Sequence, residues 1–391
     1  MPVIPDVPAF KLEYASGNMA FLAAQAALSA VGKGHSLAYL AGASGDAFKF
    51  VYDGAPVREP LRDLRPADSL ARAFAACGLR AEWIPDATLD HVRGQVEAHA
   101  EIGQPILTAF LPGEDYHGCF LLVGYDEDSD ILYYQRAYES PSQDMPYRTL
   151  KLDAATDWDG PVTGPPHWLS FPMLVIRGPL YDPPDAAALR QAALQGALDA
   201  LQGDPIPYPT HPGAGQYARV PLEGRAALQG LAALAQVAAD LREADLRDFA
   251  TIWRLDAQLM QLAWDRELAA LYLESREGDG PPALIARYRT IAHTARTLGT
   301  RNWERRSMAM NRPAELRAFI EGTAAYLYAL PEDDRLRDAV RDLGTPIQTV
   351  WGSALLVATA ERREGAARLA ERLHDLEAAC APLLEQALTK L

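Results

Sequence analysis

Cysteine is scarce in this chain, and its spacing excludes several kinds of site. The 391 residues contain three cysteines, Cys77, Cys119 and Cys380, with no Cys-Xaa-Xaa-Cys pair and no Cys/His spacing typical of a metal site. An odd number of scattered cysteines also argues against a disulfide framework. The sequence therefore predicts no structural metal, no disulfide scaffold and no cofactor.

Excess positive charge and long apolar segments are lacking as well. The chain has 52 Asp and Glu against 37 Lys and Arg, a net charge of -15, whereas nucleic-acid binding needs clustered cations. Its apolar runs, such as residues 228–239, are shorter than the ~20 residues of a membrane span. The first residues lack the basic start and apolar core of a signal peptide. We therefore expect a cytoplasmic protein that binds neither nucleic acid nor membrane.

The character of the sequence changes near residue 178. Residues 1–177 mix helix and strand patterns, whereas the chain from about residue 185 is rich in Ala, Leu, Arg and Glu and has helical periodicity. The Pro- and Gly-containing residues 177–184 separate the two parts. The sequence predicts an α+β domain over 1–177 and an all-α helical domain over 178–391, whose last helix breaks near Gly365.

Within the first domain, helices and strands are predicted from periodicity and from turn residues. Helices are expected over 20–31, 37–40, 67–77 and 88–101, and strands over 80–84, 105–110, 120–125, 131–134 and 168–176. Residues 126–130 resemble part of a calcium loop but lack its central Gly and terminal Glu. They are therefore predicted to form a solvated hairpin turn.

The order of several short blocks resembles that of a known enzyme family. An apolar helix begins near Asn18-Met19 and closes at Gly32; later come Gly103-Gln104-Pro105, His117, an apolar strand, Gly124-Tyr125-Asp126 and a second strand. This order resembles the papain-like cysteine-peptidase family that includes bacteriocin-leader peptidases and the N-terminal domain of butirosin biosynthesis protein H. The resemblance implies a papain-like fold over residues 1–177, with a helix packed on an antiparallel sheet.

The resemblance also implies a site, with Asn18, Met19, His117 and Gln135 as candidate residues. The family has a Cys at the start of the helix, thirteen residues before the Gly, and that position is Met19 here. A thiolate at a helix N-terminus attacks a carbonyl, a His transfers protons, and an acid or amide orients the His. Met cannot form a thiolate, and Asn18 is expected only to cap the helix. We therefore name no catalytic residue.

The base and the orienting residue also differ from the family pattern. The family His lies six residues before the Gly of Gly-Tyr-Asp, whereas His117 lies seven before Gly124. Either a β-bulge restores His117 to the cleft, or Gly118 now stands at the catalytic position, which the offset favours. The orienting Asp is replaced by Gln135 or Arg136. Gln135 could bond an imidazole, or could be an ordinary polar residue at a strand end.

Three functional hypotheses follow. The first is a catalytically silent protein that binds a small molecule, a peptide, an amine or an acyl-carrier-type ligand in the vestigial cleft. The second is an active acyltransferase or peptidase that uses an unrecognised nucleophile such as Ser16 or Cys119. The third is a structural or partner-binding protein in which the helical domain dominates.

Overall fold

The chain combines an antiparallel sheet with several helices, including a helical C-terminal region, which confirms the mixed class at this level. The structure is a computed structural model that describes residues 3–5, 7–8, 19–52, 66–108, 120–136, 147–152, 171–207, 226–243, 249–275, 278–309 and 360–391. Asn18, His117, Gly118, Cys119 and Ser16 lie outside the described residues.

Four helices of the first half agree with the sequence prediction to within a few residues. They are α1 (Met19–Ala30), α2 (Leu37–Ala43), α3 (Pro66–Ala76) and α4 (Leu89–Glu101). The side chain of Thr88 caps α4 by accepting a 3.3 Å hydrogen bond from the backbone N–H of His91. Gly32 ends α1 with a φ of +70°, a left-handed conformation in which glycine is unstrained. Local capping signals therefore set these helix ends.

The described residues of the first half contain seven strands. They are β1 (Val51–Tyr52), β2 (Leu79–Ala87), β3 (Ile106–Thr108), β4 (Phe120–Asp126), β5 (Ile131–Arg136), β6 (Arg148–Lys151) and β7 (Phe171–Pro179). All except β1 form one antiparallel sheet in the order β2-β7-β3-β4-β5-β6. Because β7 enters between β2 and β3, strands distant in sequence pair at the centre of the sheet.

The two faces of this sheet are both buried. Leu107, Leu121, Val123, Leu174 and Ile176 join the core that contains α1, and we call this side the α1 face. The opposite side packs on α4, and its members include Ile106, Phe120, Leu122, Met173 and Val175. Burial on both faces explains why these strands are apolar runs rather than alternating patterns.

The second half is mainly helical but not all-α. Its helices are α5 (Ala186–Gln202), α6 (Gly230–Glu243), α7 (Phe249–Glu274), α8 (Pro282–Ala309), α9 (Ala360–Ala378) and α10 (Ala381–Leu388). Two short strands, β8 (Ile206–Pro207) and β9 (Ala226–Gln229), correct the all-α expectation. β9 pairs with β1, so this tertiary pairing overrides the helical preference of its Ala and Leu residues.

The predicted break of the last helix near Gly365 is wrong. Gly365 lies on the exposed side of α9, which continues to Ala378. An interior glycine costs a helix only about 1 kcal/mol, which is too little to end it. The interruption precedes Pro382 in the first turn of α10, where the ring would clash with the carbonyl of a continuous helix.

The two halves of the chain meet along a tightly packed contact. α2 packs on α7, and a Cβ atom added to Gly42 would lie 2.1 Å from Cγ of Tyr272. A single cluster of buried apolar residues includes members of α1, α2, the α1 face and α5–α10. Among the described helices, none has the length and apolar character needed to cross a bilayer.

Candidate functional site

Helix α1 begins at Met19, the position at which the resemblance noted in the sequence predicts a nucleophile. The helix is enclosed by the core, and its most buried residues are Ala20, Phe21, Leu22, Ala23, Ala24, Ala26, Ala27 and Leu28. A helix that is apolar all round belongs in a core. The first N–H groups of such a helix lack intrahelical partners and attract negative charge, so its start is a favourable place for a carbonyl or an anion.

Helix α1 packs on β3 and β4. Strand β4 pairs with β5, and the turn between them spans residues 127–130. Helix α1 therefore neighbours β4, the strand of the Gly124-Tyr125-Asp126 block.

A β-bulge interrupts β4 inside the interval that the sequence left ambiguous. Leu122 pairs with Tyr134, and Gly124 pairs with Tyr133, so Val123 is an extra residue on β4. The bulge changes which residues share a face, because Leu122 and Tyr125, three positions apart, both lie on the α4 side. A bulge here is the feature required if His117 is to occupy the cleft, although His117 and Gly118 are outside the described residues.

Gln135 lies on β5 directly opposite Leu121, a residue of the α1 face. Its side chain is buried at 7% relative exposure. Its Nε2 donates a 3.1 Å hydrogen bond to the backbone oxygen of Val7. Among the described residues, no donor reaches the buried Oε1. The contact with Val7 fixes the amide orientation, since a carbonyl can accept only from the nitrogen side, and Oε1 therefore retains its capacity to accept.

Residues 3–5 and 7–8, which we call the N-terminal segment, lie along the α1 face beside Gln135. Val3 forms a β-bridge with Gly124, and the Ile4 N–H donates to the Val123 oxygen at 2.8 Å. The Tyr147 hydroxyl donates to the Ile4 oxygen at 2.7 Å. Because Val7 lies at Gln135 and Val3 at Gly124, the segment leads from the bulge toward the start of β4.

Of the candidate residues, only Gln135 has a described side chain. The backbone of Met19 is described at the start of α1, while its side chain is not. Arg136, the alternative orienting residue, pairs with Phe120 of the α4 side, whereas Gln135 pairs with Leu121 of the α1 face. The pairing register therefore favours Gln135 over Arg136 as the residue associated with α1.

The β4–β5 hairpin contains an ion-pair network that sequence reasoning missed. Arg93 of α4 binds both carboxylate oxygens of Asp130, at 2.8 and 2.7 Å, and the Tyr125 hydroxyl donates to Asp130 at 2.7 Å. The hydrogen bond from Arg93 holds the pKa of the Asp130 carboxyl below its usual value. The turn is a hairpin, as predicted, and Asp130 with φ +52° anchors it to α4. An acidic turn alone gives no sign of its partner on a distant helix.

A second buried polar cluster lies where the helical region meets the first half. Arg266 of α7 is 1% exposed and donates from Nε to Glu377 of α9. Its Nη1 donates to the backbone oxygens of Ala47 and Lys49, at 2.8 and 3.3 Å. Its Cζ also lies 5.8 Å from the ring centroid of Tyr288. No sequence motif links Arg266 to Glu377, so sequence reasoning also missed this cluster.

Neither described cysteine is a ready nucleophile. Burial raises the pKa of the Cys77 and Cys380 thiols to about 12, so both are neutral at physiological pH. No group of three or more His, Cys, Asp and Glu side chains in the described ranges is arranged to hold a metal ion.

The arrangement on the α1 face can bind and orient a ligand. Gln135 offers a buried amide oxygen that no donor among the described residues reaches, and its strand partner Leu121 lies two positions along β4 from the bulge at Val123. A group that donates a hydrogen bond matches this feature. Neither protein-family models nor curated proteins give a match to this chain.

Proposed function

We propose that the chain is a catalytically silent papain-like protein that binds a peptide, amine or acyl-carrier-type ligand at the start of α1. The observation on which this proposal depends is the buried Gln135, whose amide oxygen has no donor among the described residues. Burying an acceptor without a partner costs about 1–3 kcal/mol, so such an atom indicates a donor supplied from elsewhere.

The pairing register supports His117 as that donor. His117 lies outside the described residues and precedes Leu121, the partner of Gln135, by four positions. In this proposal the strand alternation of β4 extends back to His117, so that His117 and Leu121 share the α1 face. The bulge at Val123 adds one residue between this region and Gly124. That extra residue accounts for an interval of seven where the family has six. In this proposal the His117 ring donates to Gln135 Oε1 and its other nitrogen faces the ligand.

The proposal assigns Met19 to the ligand pocket rather than to chemistry. A thioether is soft and apolar and cannot be activated as a nucleophile. In this proposal it gives the pocket an apolar wall opposite the polar pair of His117 and Gln135, a combination typical of small-ligand sites. The ligand is then held by a hydrogen bond to His117 and by contact with Met19, and no bond is made or broken.

Restoring the missing thiol tests this geometry. In the Met19→Cys variant we expect a thiol pKa well below the ordinary value of about 8.5, because the helix N-terminus and a nearby imidazolium stabilise the thiolate. The measurement is the pH dependence of alkylation by iodoacetamide, with the alkylated residue identified by mass spectrometry. Ser29→Cys is the matched control, since it introduces a thiol into the last turn of the same helix. Equal pKa values for the two thiols would contradict the proposal.

The wild-type chain provides the second readout. Iodoacetamide and a fluorophosphonate probe should label neither Cys119 nor Ser16 faster than they label the unfolded chain. If either residue were labelled and this labelling disappeared in a His117→Ala variant, the result would contradict the proposal of a silent protein and support the active-enzyme hypothesis.

A further inference from the structure

We propose that the surface on which the N-terminal segment lies is a binding site for peptides of the pattern aliphatic-Pro-Xaa-aliphatic-Pro. This surface includes Gln135, Tyr147 and the backbone of Val123, and we call it the groove. The chain's own Ile4-Pro5 and Val7-Pro8 units occupy the groove as a built-in competitor. This inference goes beyond the proposed function. It shares Gln135 with that site but depends on neither Met19 nor His117.

The two aliphatic-Pro units of the segment are held in the same way. The side chains of Ile4 and Val7 are buried, at 3% and 6% exposure, while Pro5 and Pro8 are exposed. The carbonyl of Ile4 accepts from Tyr147, and that of Val7 accepts from Gln135. Each unit therefore inserts one side chain and presents one carbonyl to a donor of the sheet.

The two donors form one clamp on neighbouring strands. Gln135 and Tyr147 each lie one residue beyond the β5–β6 pair of Tyr134 and Arg148. These two adjacent side chains donate to the carbonyls of Ile4 and Val7. A ligand must therefore present two carbonyls that are three residues apart. The backbone of Val123, at the bulge, adds the third contact by accepting from the Ile4 N–H.

Every hydrogen bond that the described residues form with the segment uses its backbone. A free peptide with the same backbone path and two aliphatic residues would reproduce all of these contacts. Proline fixes its own φ and keeps the preceding residue extended, so such a peptide loses little conformational entropy on binding. Carbonyl recognition with apolar contacts is also the general mode by which proline-rich peptides are bound.

The test uses the full chain with its own segment weakened. A fluorescent peptide, Pro-Val-Ile-Pro-Asp-Val-Pro-Ala, is titrated with the wild-type chain and with the Ile4→Asp/Val7→Asp variant, and fluorescence anisotropy is measured. We expect the variant to bind at least tenfold more tightly, since charged residues no longer compete for the apolar positions. A peptide with Asp at the two aliphatic positions is the control and should not bind.

Two further variants assign the binding to this groove. Gln135→Leu or Tyr147→Phe, added to the Ile4→Asp/Val7→Asp chain, should each weaken peptide binding about fivefold by removing one carbonyl donor. Unchanged affinity in both variants would overturn the proposal. So would a folded Ile4→Asp/Val7→Asp chain, with wild-type near-UV circular dichroism, that does not bind the peptide.

Hydrogen exchange on the wild-type chain decides the matter even if the double variant fails to fold. A displaceable segment requires the Ile4 amide to exchange at least tenfold faster than the amides of β4. Equal protection would make the segment an integral strand and overturn the proposal. A wild-type dimer in which each segment occupies the other copy's groove would overturn it as well. The Met19→Cys thiol reports separately on the proposed function, so either idea can fail alone.

Discussion

Arg266 and Gln135 are both buried polar side chains, but the chain satisfies them to different extents. Arg266 uses its donors on Glu377 and on two backbone oxygens, and it joins α7, α9 and the turn before β1. Gln135 uses its nitrogen on Val7, while its oxygen has no donor within the described ranges. A satisfied cluster stabilises a fold, whereas an unused buried acceptor indicates capacity for something further.

Other buried atoms show why an unused acceptor alone does not define a site. His99 Nδ1 and both amide atoms of Gln258 also lack partners in the part of the chain that the structure describes. Gln135 differs because three independent features coincide there. It lies on the α1 face, it is close to the bulge of β4, and it anchors the N-terminal segment.

The largest expected loss of stability comes from a substitution in the Arg266–Glu377 cluster. Glu377→Gln should lower the free energy of unfolding by about 3–5 kcal/mol, because it leaves the buried Arg266 guanidinium without the carboxylate that its Nε contacts. Urea unfolding at pH 7 measures this loss. The Arg266→Met/Glu377→Leu double variant removes both charges of the pair, so the loss should be smaller than the sum of the two single losses. Strict additivity would show that the two residues do not act as a pair.

The half-exposed network at Asp130 should show an intermediate effect. Asp130→Asn retains a residue that tolerates the positive φ but weakens the bidentate contact with Arg93, so we expect a loss of about 1–2 kcal/mol at pH 7. Because folding lowers the pKa of Asp130, its contribution is complete above the unfolded pKa of about 3.9 and is lost as pH falls through the folded pKa.

Unfolding at several pH values separates this contribution from general acid sensitivity. Stability of the wild-type chain should fall more steeply on acidification than that of Asp130→Asn. The exposed turn residue Asp128 provides the matched control, since Asp128→Asn should keep the wild-type slope. If stability depended on pH with the same slope in all three chains, the ionisation of Asp130 would not contribute to the free energy of unfolding.

The sequence predicted those parts of the fold that depend on local signals. Thr88 and Gly32 define helix ends through capping and a left-handed turn, and the apolar residues of β4 and β5 define a buried strand pair. Contacts between distant segments could not be predicted in this way. The Arg266–Glu377 pair spans 111 residues, and β9 adopts a strand because β1 pairs with it. Gln135 was named from its place in the family pattern, whereas its bond to Val7 depends on the path of the N-terminal segment.

Substitution of Gln135 should change the free energy of unfolding least and the reactivity of a thiol at position 19 most clearly. Gln135→Leu removes the hydrogen bond to Val7 but also removes a buried oxygen without a donor among the described residues, so the free energy of unfolding should change by less than about 1 kcal/mol. In a Met19→Cys background the same substitution should lower thiol alkylation at pH 7 about tenfold, since in the proposed function His117 loses the acceptor that orients it.

Urea unfolding gives the stability change and alkylation kinetics give the effect on the site. Both are measured on the wild-type chain, Gln135→Leu, Met19→Cys and Met19→Cys/Gln135→Leu. Glu377→Gln in the Met19→Cys background serves as the opposite control, with a large stability loss and an unchanged alkylation rate for the folded fraction. If Gln135→Leu instead cost as much stability as Glu377→Gln, Gln135 would belong with Arg266 as a structural residue. A small stability change together with slow alkylation would mean that the Gln135 oxygen serves the site rather than the fold, because removing it changes the free energy of unfolding little and the alkylation rate strongly.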